Sequence, residues 1–116
     1  MSDCVFCKIA KKEIPTDLLF ENESLVAFNS VPKQTPVHVL IIPKKHIPTI
    51  DDLREEDVML MGQMIIVAQR LARELNISEK GYKLLFRVKE HGEQEIKHIH
   101  LHLLGGAQLT EKIKAI

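Results

Sequence analysis

The heptapeptide His98-Ile99-His100-Leu101-His102-Leu103-Leu104 alternates three imidazole side chains with aliphatic ones. In an extended strand, successive side chains point to opposite faces, so the three histidines share one face and the aliphatic residues share the other. The aliphatic face can be buried in a core. The opposite face then holds, side by side, three groups that titrate near neutral pH. This segment therefore predicts a core strand that carries a functional site, either catalytic or metal-binding.

The rest of the chain predicts an α+β fold around this strand: an antiparallel sheet of about five strands, one long helix and a short N-terminal helix. We expect strands at residues 18–20, 25–28, 37–42, 83–88 and 98–104. The short helix is expected at residues 4–12. The long helix is expected to begin at a cap within residues 51–55 and to end near residue 75. Because no repeat or linker is visible, residues 1–116 are expected to form a single domain.

Composition narrows the class of function. The 116 residues are 45% hydrophobic and carry sixteen basic and sixteen acidic side chains, for a formal net charge of zero. A neutral chain without a basic stripe argues against nucleic acid as the main partner. No apolar run approaches transmembrane length, and residues 1–4 lack the basic-then-apolar pattern of a signal peptide. We therefore expect a cytoplasmic protein that does not bind membranes.

Cys4 and Cys7 form a C-x-x-C pair, a spacing that lets two thiolates bind one metal ion. In a cytoplasmic chain such a pair is more consistent with thiols or metal ligands than with a disulfide. A tetrahedral site needs two further ligands, so the pair alone leaves open both a metal site and two free thiols.

The long helix is apolar around most of its circumference. One sheet face can cover only part of this surface, so we expect the remainder to pack against a second copy of the chain. The alternative is a monomer whose helix lies beneath loops. The residues concerned are Met59, Leu60, Met61, Met64, Ile65, Ile66 and Val67.

Further motifs accompany the histidine strand. They are Cys4-Val5-Phe6-Cys7-Lys8-Ile9, Glu13-Ile14-Pro15, the run from His38 to His46, and Gly92-Glu93-Gln94-Glu95. With these motifs the chain resembles the histidine triad (HIT) family over residues 4–106, in the Hint branch of nucleoside phosphoramidases. The resemblance implies a HIT-like homodimer with a sheet shared across the two-fold axis, a purine nucleotide or nucleotide conjugate as ligand, and no organic cofactor.

The resemblance also implies catalytic roles for the histidines. His100 is the expected nucleophile, attacking the α-phosphate of a purine nucleoside phosphoramidate or related nucleotide to give a nucleotidyl-histidine that water hydrolyses. Its Nδ1–H is expected to donate to the main-chain carbonyl of His98, which leaves Nε2 free. His38 and His102 are expected to donate to phosphate oxygens or to protonate the leaving group.

Several other residues are implied to contact the substrate. The base is expected in an apolar pocket formed by Phe6, Ile9, Ile14, Phe28 and Val31. Two positions depart from the family pattern: Ser30 replaces a common acidic residue that binds the ribose hydroxyls, and Arg87 replaces a common asparagine near the phosphate. Main-chain N–H groups of Gln94 and Glu95 are expected to add phosphate donors.

Some family members with this cysteine pair complete a zinc site with the histidine after Pro-Lys-x and the first histidine of the triad. The resemblance therefore implies a structural zinc held by Cys4, Cys7, His46 and His98. Two other functions stay open at this point. One is a dinucleoside polyphosphate hydrolase, and the other is a non-catalytic nucleotide- or metal-binding module.

Overall fold

A five-stranded antiparallel sheet with a helix on each face is the centre of the computed structural model, which describes residues 3–116. The strands are β1 (Leu18–Glu21), β2 (Leu25–Asn29), β3 (Val37–Pro43), β4 (Lys83–Leu85) and β5 (Leu101–Gly105), and the helices are α1 (Val5–Ala10) and α2 (Val58–Glu74). The strand order is β1-β2-β3-β5-β4, and every neighbouring pair is antiparallel. The predicted α+β fold, with five strands, one long helix and one short helix, is confirmed.

The sheet separates two apolar cores, because side chains alternate along each strand. Val39 of β3 and Leu103 of β5 belong to the core beneath α2. Phe28 of β2 and Leu40 of β3 belong to the core on the other face, together with Phe6 of α1. The histidines of the heptapeptide face this α1 side, where the rings of His98 and His100 contact Phe6.

The regular histidine strand is shorter than the predicted range of 98–104. β5 begins at Leu101, which pairs with Ile41 of β3. Beyond this pair β3 ends at Pro43, which has no N–H to continue the ladder. The N–H of Ile99 instead donates to the carbonyl of Ile47 at 2.8 Å. The expected alternation nevertheless persists, because Ile99 is buried with the α2-side core while its histidine neighbours contact Phe6.

The other boundaries shift as well. β4 ends at Leu85 rather than at residue 88, opposite His102 and one residue short of the start of its partner strand at Leu101. Arg87 therefore follows the strand instead of lying within it. α1 ends at Ala10, and Lys12 takes a left-handed φ of 65° two residues later. α2 begins only at Val58, because residues 50–57 form two 3-10 turns first.

α2 covers the sheet with one side only. Its buried residues are Met64, Val67, Ala68, Leu71 and Ala72. Val58, Met59, Ile65 and Ile66 are exposed by 67, 75, 43 and 60%. These four apolar side chains thus lie open to solvent in a single chain. Within residues 3–116, none of the helices combines the length and apolarity needed to cross a membrane.

Candidate functional site

Four histidines are buried together on the α1 side of the sheet. β3 supplies His38, β5 supplies His102, and the extended segment before β5 supplies His98 and His100, all between 0 and 8% exposed. His100 and His102 line a cavity of about 1020 Å³. A second cleft of about 720 Å³, between residues 76–83 and 106–111, has no histidine or cysteine in its wall. The larger cavity is therefore the candidate active site.

The ring of His100 is held in a single orientation. Its Nδ1 lies 2.7 Å from the main-chain oxygen of His98, and its ring packs against that of Phe6 in a T-shaped arrangement at a centroid distance of 5.0 Å. Because a carbonyl only accepts, Nδ1 carries the proton and Nε2 keeps its lone pair. This is the contact that the sequence resemblance implied. Burial lowers the pKa of His100, against the opposing effect of the hydrogen bond to His98, so the neutral imidazole is favoured.

His38 and His102 contact each other through one ring nitrogen each. The Nε2 atom of His38 lies 3.0 Å from Nδ1 of His102, and the main-chain N–H of Gln34 donates to Nδ1 of His38 at 3.1 Å. In residues 3–116, Nε2 of His102 is the buried side-chain polar atom that lacks a hydrogen-bond partner. Burial lowers the pKa of both imidazoles, that of His102 to about 3, with smaller effects from neighbouring charges.

Arg87 lines the same cavity, although it lies outside β4. Its guanidinium is 3.5 Å from the carboxylate of Glu93 and is about three-tenths exposed. Its positive charge contributes to the lowered pKa of His38, His100 and His102, after burial in each case. The arginine is thus close enough to act on the site electrostatically.

The loop after Arg87 is tied down by Gln94. The main-chain N–H of Gln94 donates to the carbonyl of Lys89 at 3.0 Å, and its side chain donates to the carbonyls of Pro48 and Ile96. In this structure the N–H closes the loop, and its expected role as a phosphate donor stays a prediction. Glu95 is exposed and lines the cavity.

Four of the five residues expected to form the base pocket lie together. Phe6, Ile9 and Phe28 are buried in the α1-side core, and Ile14 packs against it. Val31 is 92% exposed on the loop after β2, outside this cluster. Ser30, at the start of that loop, donates its hydroxyl to the carbonyl of Pro32 at 3.1 Å.

The four expected metal ligands converge at the start of α1. Sγ of Cys4 is 3.3 Å from Nδ1 of His98, Sγ of Cys7 is 3.2 Å from Nδ1 of His46, and the two Nδ1 atoms are 3.2 Å apart. All four ligand atoms lie within 4.8 Å of one another. In a tetrahedral zinc site, neighbouring N and S ligands are separated by roughly 3.3–3.8 Å. The cluster can therefore hold a metal ion, and its donor set and spacing fit zinc.

The protonation of His98 also suits a metal ligand. Its Nε2 lies 2.8 Å from the carbonyl of Pro43, so Nε2 carries the proton and Nδ1 turns a lone pair toward the cysteines. Burial lowers the pKa of His98 to about 4. Burial also raises the pKa of the Cys7 thiol, as does neighbouring Cys4, whereas a bound cation favours the thiolate.

Two contacts at the site lie beyond what sequence analysis found: the Gln34 N–H on His38 and the Pro43 carbonyl on His98. Both are main-chain groups. Every residue except proline supplies an N–H and every residue supplies a carbonyl, so neither contact leaves a residue-type signature in the sequence.

Comparison with known proteins identifies the family of this chain. The family model described as scavenger mRNA decapping enzyme C-term binding matches residues 3–115. The purine nucleoside phosphoramidase of Escherichia coli (strain K12) is 42% identical over 107 residues, covering 92% of this chain and 90% of the relative.

Solved structures give the same result. The crystal structure of a HIT family hydrolase from Legionella pneumophila Philadelphia 1 is 50% identical with a TM-score of 0.91, covering 93% of this chain and 96% of that one. A histidine triad protein from Clostridium difficile is 32% identical with a TM-score of 0.93, covering 97% and 98%. This chain therefore belongs to the histidine triad (HIT) family and is Hint-like.

Proposed function

We propose that this protein is a nucleotide hydrolase that cleaves purine nucleoside phosphoramidates or related nucleotides at the α-phosphate. The observation that supports this most directly is the 2.7 Å hydrogen bond from His100 Nδ1 to the His98 carbonyl, which frees Nε2 for attack. The neighbouring His102 has a buried, partnerless Nε2. The printed name of the Escherichia coli relative gives purine nucleoside phosphoramidase activity to that protein.

The reaction follows from these positions. Nε2 of His100 attacks the α-phosphorus, a P–N bond to the enzyme forms, and the bond to the leaving group breaks as the leaving amine takes up the imidazole N–H proton of His102. Water then attacks the nucleotidyl-histidine and returns a proton to His102, which releases the nucleoside monophosphate and restores the lone pair on Nε2 of His100. His102 and His38 stabilise charge on the phosphate oxygens. Phe6, Ile9, Ile14 and Phe28 hold the base, since they form one apolar cluster beside His100.

The metal centre has a structural role in this proposal. Cys4, Cys7, His46 and His98 would hold a zinc ion, which would tie the first turn of α1 to the segment before β5. Such an ion would supply a cross-link rather than chemistry, because His98 offers the active site only its carbonyl. Phe6 lies between the two cysteines in sequence and contacts both His98 and His100.

A dinucleoside polyphosphate hydrolase is the second candidate, and Arg87 favours it. A guanidinium on the cavity wall can bind phosphates beyond the α-position, which a phosphoramidate lacks. His100 would attack the α-phosphate in both substrate classes. The relative rates of hydrolysis of the two substrates therefore distinguish the two functions.

The test is an assay with adenosine 5′-phosphoramidate beside a diadenosine polyphosphate, using wild type, His100→Ala and His91→Ala. We expect faster turnover of the phosphoramidate, loss of at least a thousandfold in His100→Ala, and a rapid-quench nucleotidyl adduct on His100. His91 is an exposed histidine outside the cavity, so His91→Ala is the matched control. Undiminished turnover in His100→Ala would refute the nucleophile, and nucleotide binding without any turnover would indicate a non-catalytic module.

A further inference from the structure

A row of hydrogen-bonding groups runs from the loop before β3 to an atom with no partner. It begins at the main-chain N–H of Gln34, which lies 3.1 Å from Nδ1 of His38. It continues from Nε2 of His38, 3.0 Å from Nδ1 of His102. It ends at Nε2 of His102, which is buried beside the cavity without a hydrogen-bond partner.

The first group of the row determines where the proton of His38 lies. A main-chain N–H can only donate, so Nδ1 of His38 must present a lone pair. His38 is 2% exposed, and such burial favours the neutral imidazole, which has one N–H. That N–H is therefore on Nε2, and it points at His102.

The same reasoning fixes the proton of His102. Because Nε2 of His38 donates, Nδ1 of His102 accepts. His102 is 7% exposed and is also neutral, so its single proton lies on Nε2. The opposite arrangement would set Nδ1–H of His38 against the N–H of Gln34. It would also turn a lone pair of His102 toward an incoming anion.

We propose that the main-chain N–H of Gln34 is a positioning group that fixes the tautomers of His38 and His102, so that His102 presents an Nε2–H donor to a phosphate oxygen. The proposal rests on the function above for the identity of the anion, but not for the positions of the protons. The proposal explains why His100 and His102 differ. The His98 carbonyl holds the proton of His100 on Nδ1, so Nε2 of His100 keeps its lone pair. The Gln34 N–H acts through His38 to make Nδ1 of His102 an acceptor, so Nε2 of His102 carries the proton.

The test is a pair of variants at one position. Gln34→Pro removes the N–H, and Gln34→Ala keeps it while removing the side chain. Gln34 lies in an irregular loop, where a proline interrupts no strand or helix. Long-range ¹H–¹⁵N correlation spectra of the nucleotide-free protein at pH 7.5 distinguish the two tautomers of each histidine. We expect Nε2–H for both His38 and His102 in wild type and Gln34→Ala, and a mixture of tautomers in Gln34→Pro.

Binding of AMP gives a second measurement. Gln34→Pro loses the hydrogen bond to His38 that orders the Nε2–H donor of His102. This loss should weaken AMP binding roughly 2- to 10-fold. If Gln34→Pro does not fold, replacing the peptide bond between residues 33 and 34 by an ester removes the same N–H with little change of shape. Wild-type spectra with the proton of His102 on Nδ1 would overturn the proposal, and so would unchanged tautomers in a folded variant without the N–H. If both rings carry the expected Nε2–H but the protein hydrolyses no nucleotide, the proposed function is refuted and the tautomer proposal stands.

Discussion

At the scale of single residues, the site shows how main-chain neighbours give identical side chains different chemistry. His100 and His102 have the same residue type and similar burial, two positions apart. The carbonyl of His98 accepts from one ring, and the Gln34 N–H acts on the other through His38. Both rings are engaged at Nδ1, so the proposed nucleophile and the proposed phosphate donor differ in whether Nδ1 donates or accepts, and hence in whether Nε2 keeps a lone pair or carries a proton.

Arg87 belongs to the same scale, and we predict that it sets phosphate preference. Arg87→Asn should lower ADP affinity relative to AMP by about tenfold, the size expected for one charge-assisted hydrogen bond. It should also raise the pKa of His38, since the charge of Arg87 adds to burial in lowering that pKa. Calorimetry and NMR titration measure the two effects.

Arg73→Asn is the matched control for this prediction, because Arg73 lies exposed in the last turn of α2, outside the cavity. Equal ADP-to-AMP ratios in wild type and both variants would show that Arg87 makes no contact with the ligand. An unchanged pKa of His38 would show that the charge of Arg87 does not reach the His38 ring.

At the scale of elements, the cysteine and histidine cluster joins three separate parts of the chain. α1 and its cap bring Cys4 and Cys7, the loop after β3 brings His46, and the segment before β5 brings His98. α1 has only six residues, which is too short for stability without tertiary contacts. A metal ion at this junction would hold Phe6 against the rings of His98 and His100.

We predict that protein purified without chelator carries about one zinc ion per chain. His46→Ala should lose most of the zinc and lower Tm, because bound metal stabilises the native state by about 4 kcal/mol when its concentration is a thousand times Kd. Elemental analysis and thermal unfolding measure the two effects. His91→Ala is the control, since it removes an exposed histidine outside the cluster. A wild-type protein with only a small fraction of zinc per chain would refute the site.

At the scale of the whole molecule, α2 suggests how copies assemble. Val58, Met59, Ile65 and Ile66 form an exposed apolar surface opposite the buried side of the helix. A contiguous surface of this kind on a small domain is typical of a subunit interface. We propose a homodimer in which this surface packs against a second copy of the chain, as predicted from the sequence.

The expected outcome is a dimer at micromolar concentration in sedimentation velocity. Ile66→Glu should shift it toward monomer, because a carboxylate at the interface would be buried without a partner. Val31→Glu places the same charge at another exposed apolar residue and should leave the dimer intact. A monomeric wild type would contradict the proposal directly.

Stability of the whole molecule should depend on pH through the buried histidines. Burial lowers the pKa of His38 and that of His102, the latter to about 3, from an ordinary value of 6.5. Between pH 6.5 and about pH 3, His102 binds a proton in the unfolded chain but not in the folded chain. The stabilisation is therefore complete above pH 6.5 and is lost as pH falls toward 3.

Each such group contributes a slope of at most about 1.4 kcal/mol per pH unit to the free energy of unfolding. Urea unfolding of His102→Gln from pH 7 to pH 4 should therefore show a smaller loss of stability than wild type. His91→Gln, which removes an exposed histidine, should follow the wild-type curve. Parallel curves for wild type and His102→Gln would contradict the burial argument.

The amino-acid sequence by itself determined on which face the side chains of residues 98–104 lie, and it predicted the five strands and two helices by type. Alternation of histidine and aliphatic residues predicted the two sides of the segment 98–104, and that prediction holds even where no regular strand forms. The C-x-x-C pair likewise predicted two donors for one metal ion. These properties are local, because they follow from the repeat of side-chain direction along a few residues.

Tertiary structure alone decided what depends on partners distant in the chain. β5 starts at Leu101, because β3 stops at Pro43 and residue 99 pairs with Ile47, and β4 ends at Leu85, opposite His102. Folding likewise placed the Gln34 N–H on His38 and the Gln94 N–H on Lys89, so that one orders the histidines and the other closes a loop. Main-chain hydrogen-bonding groups are common to almost all residues, so only the folded arrangement determines which of them reaches the site.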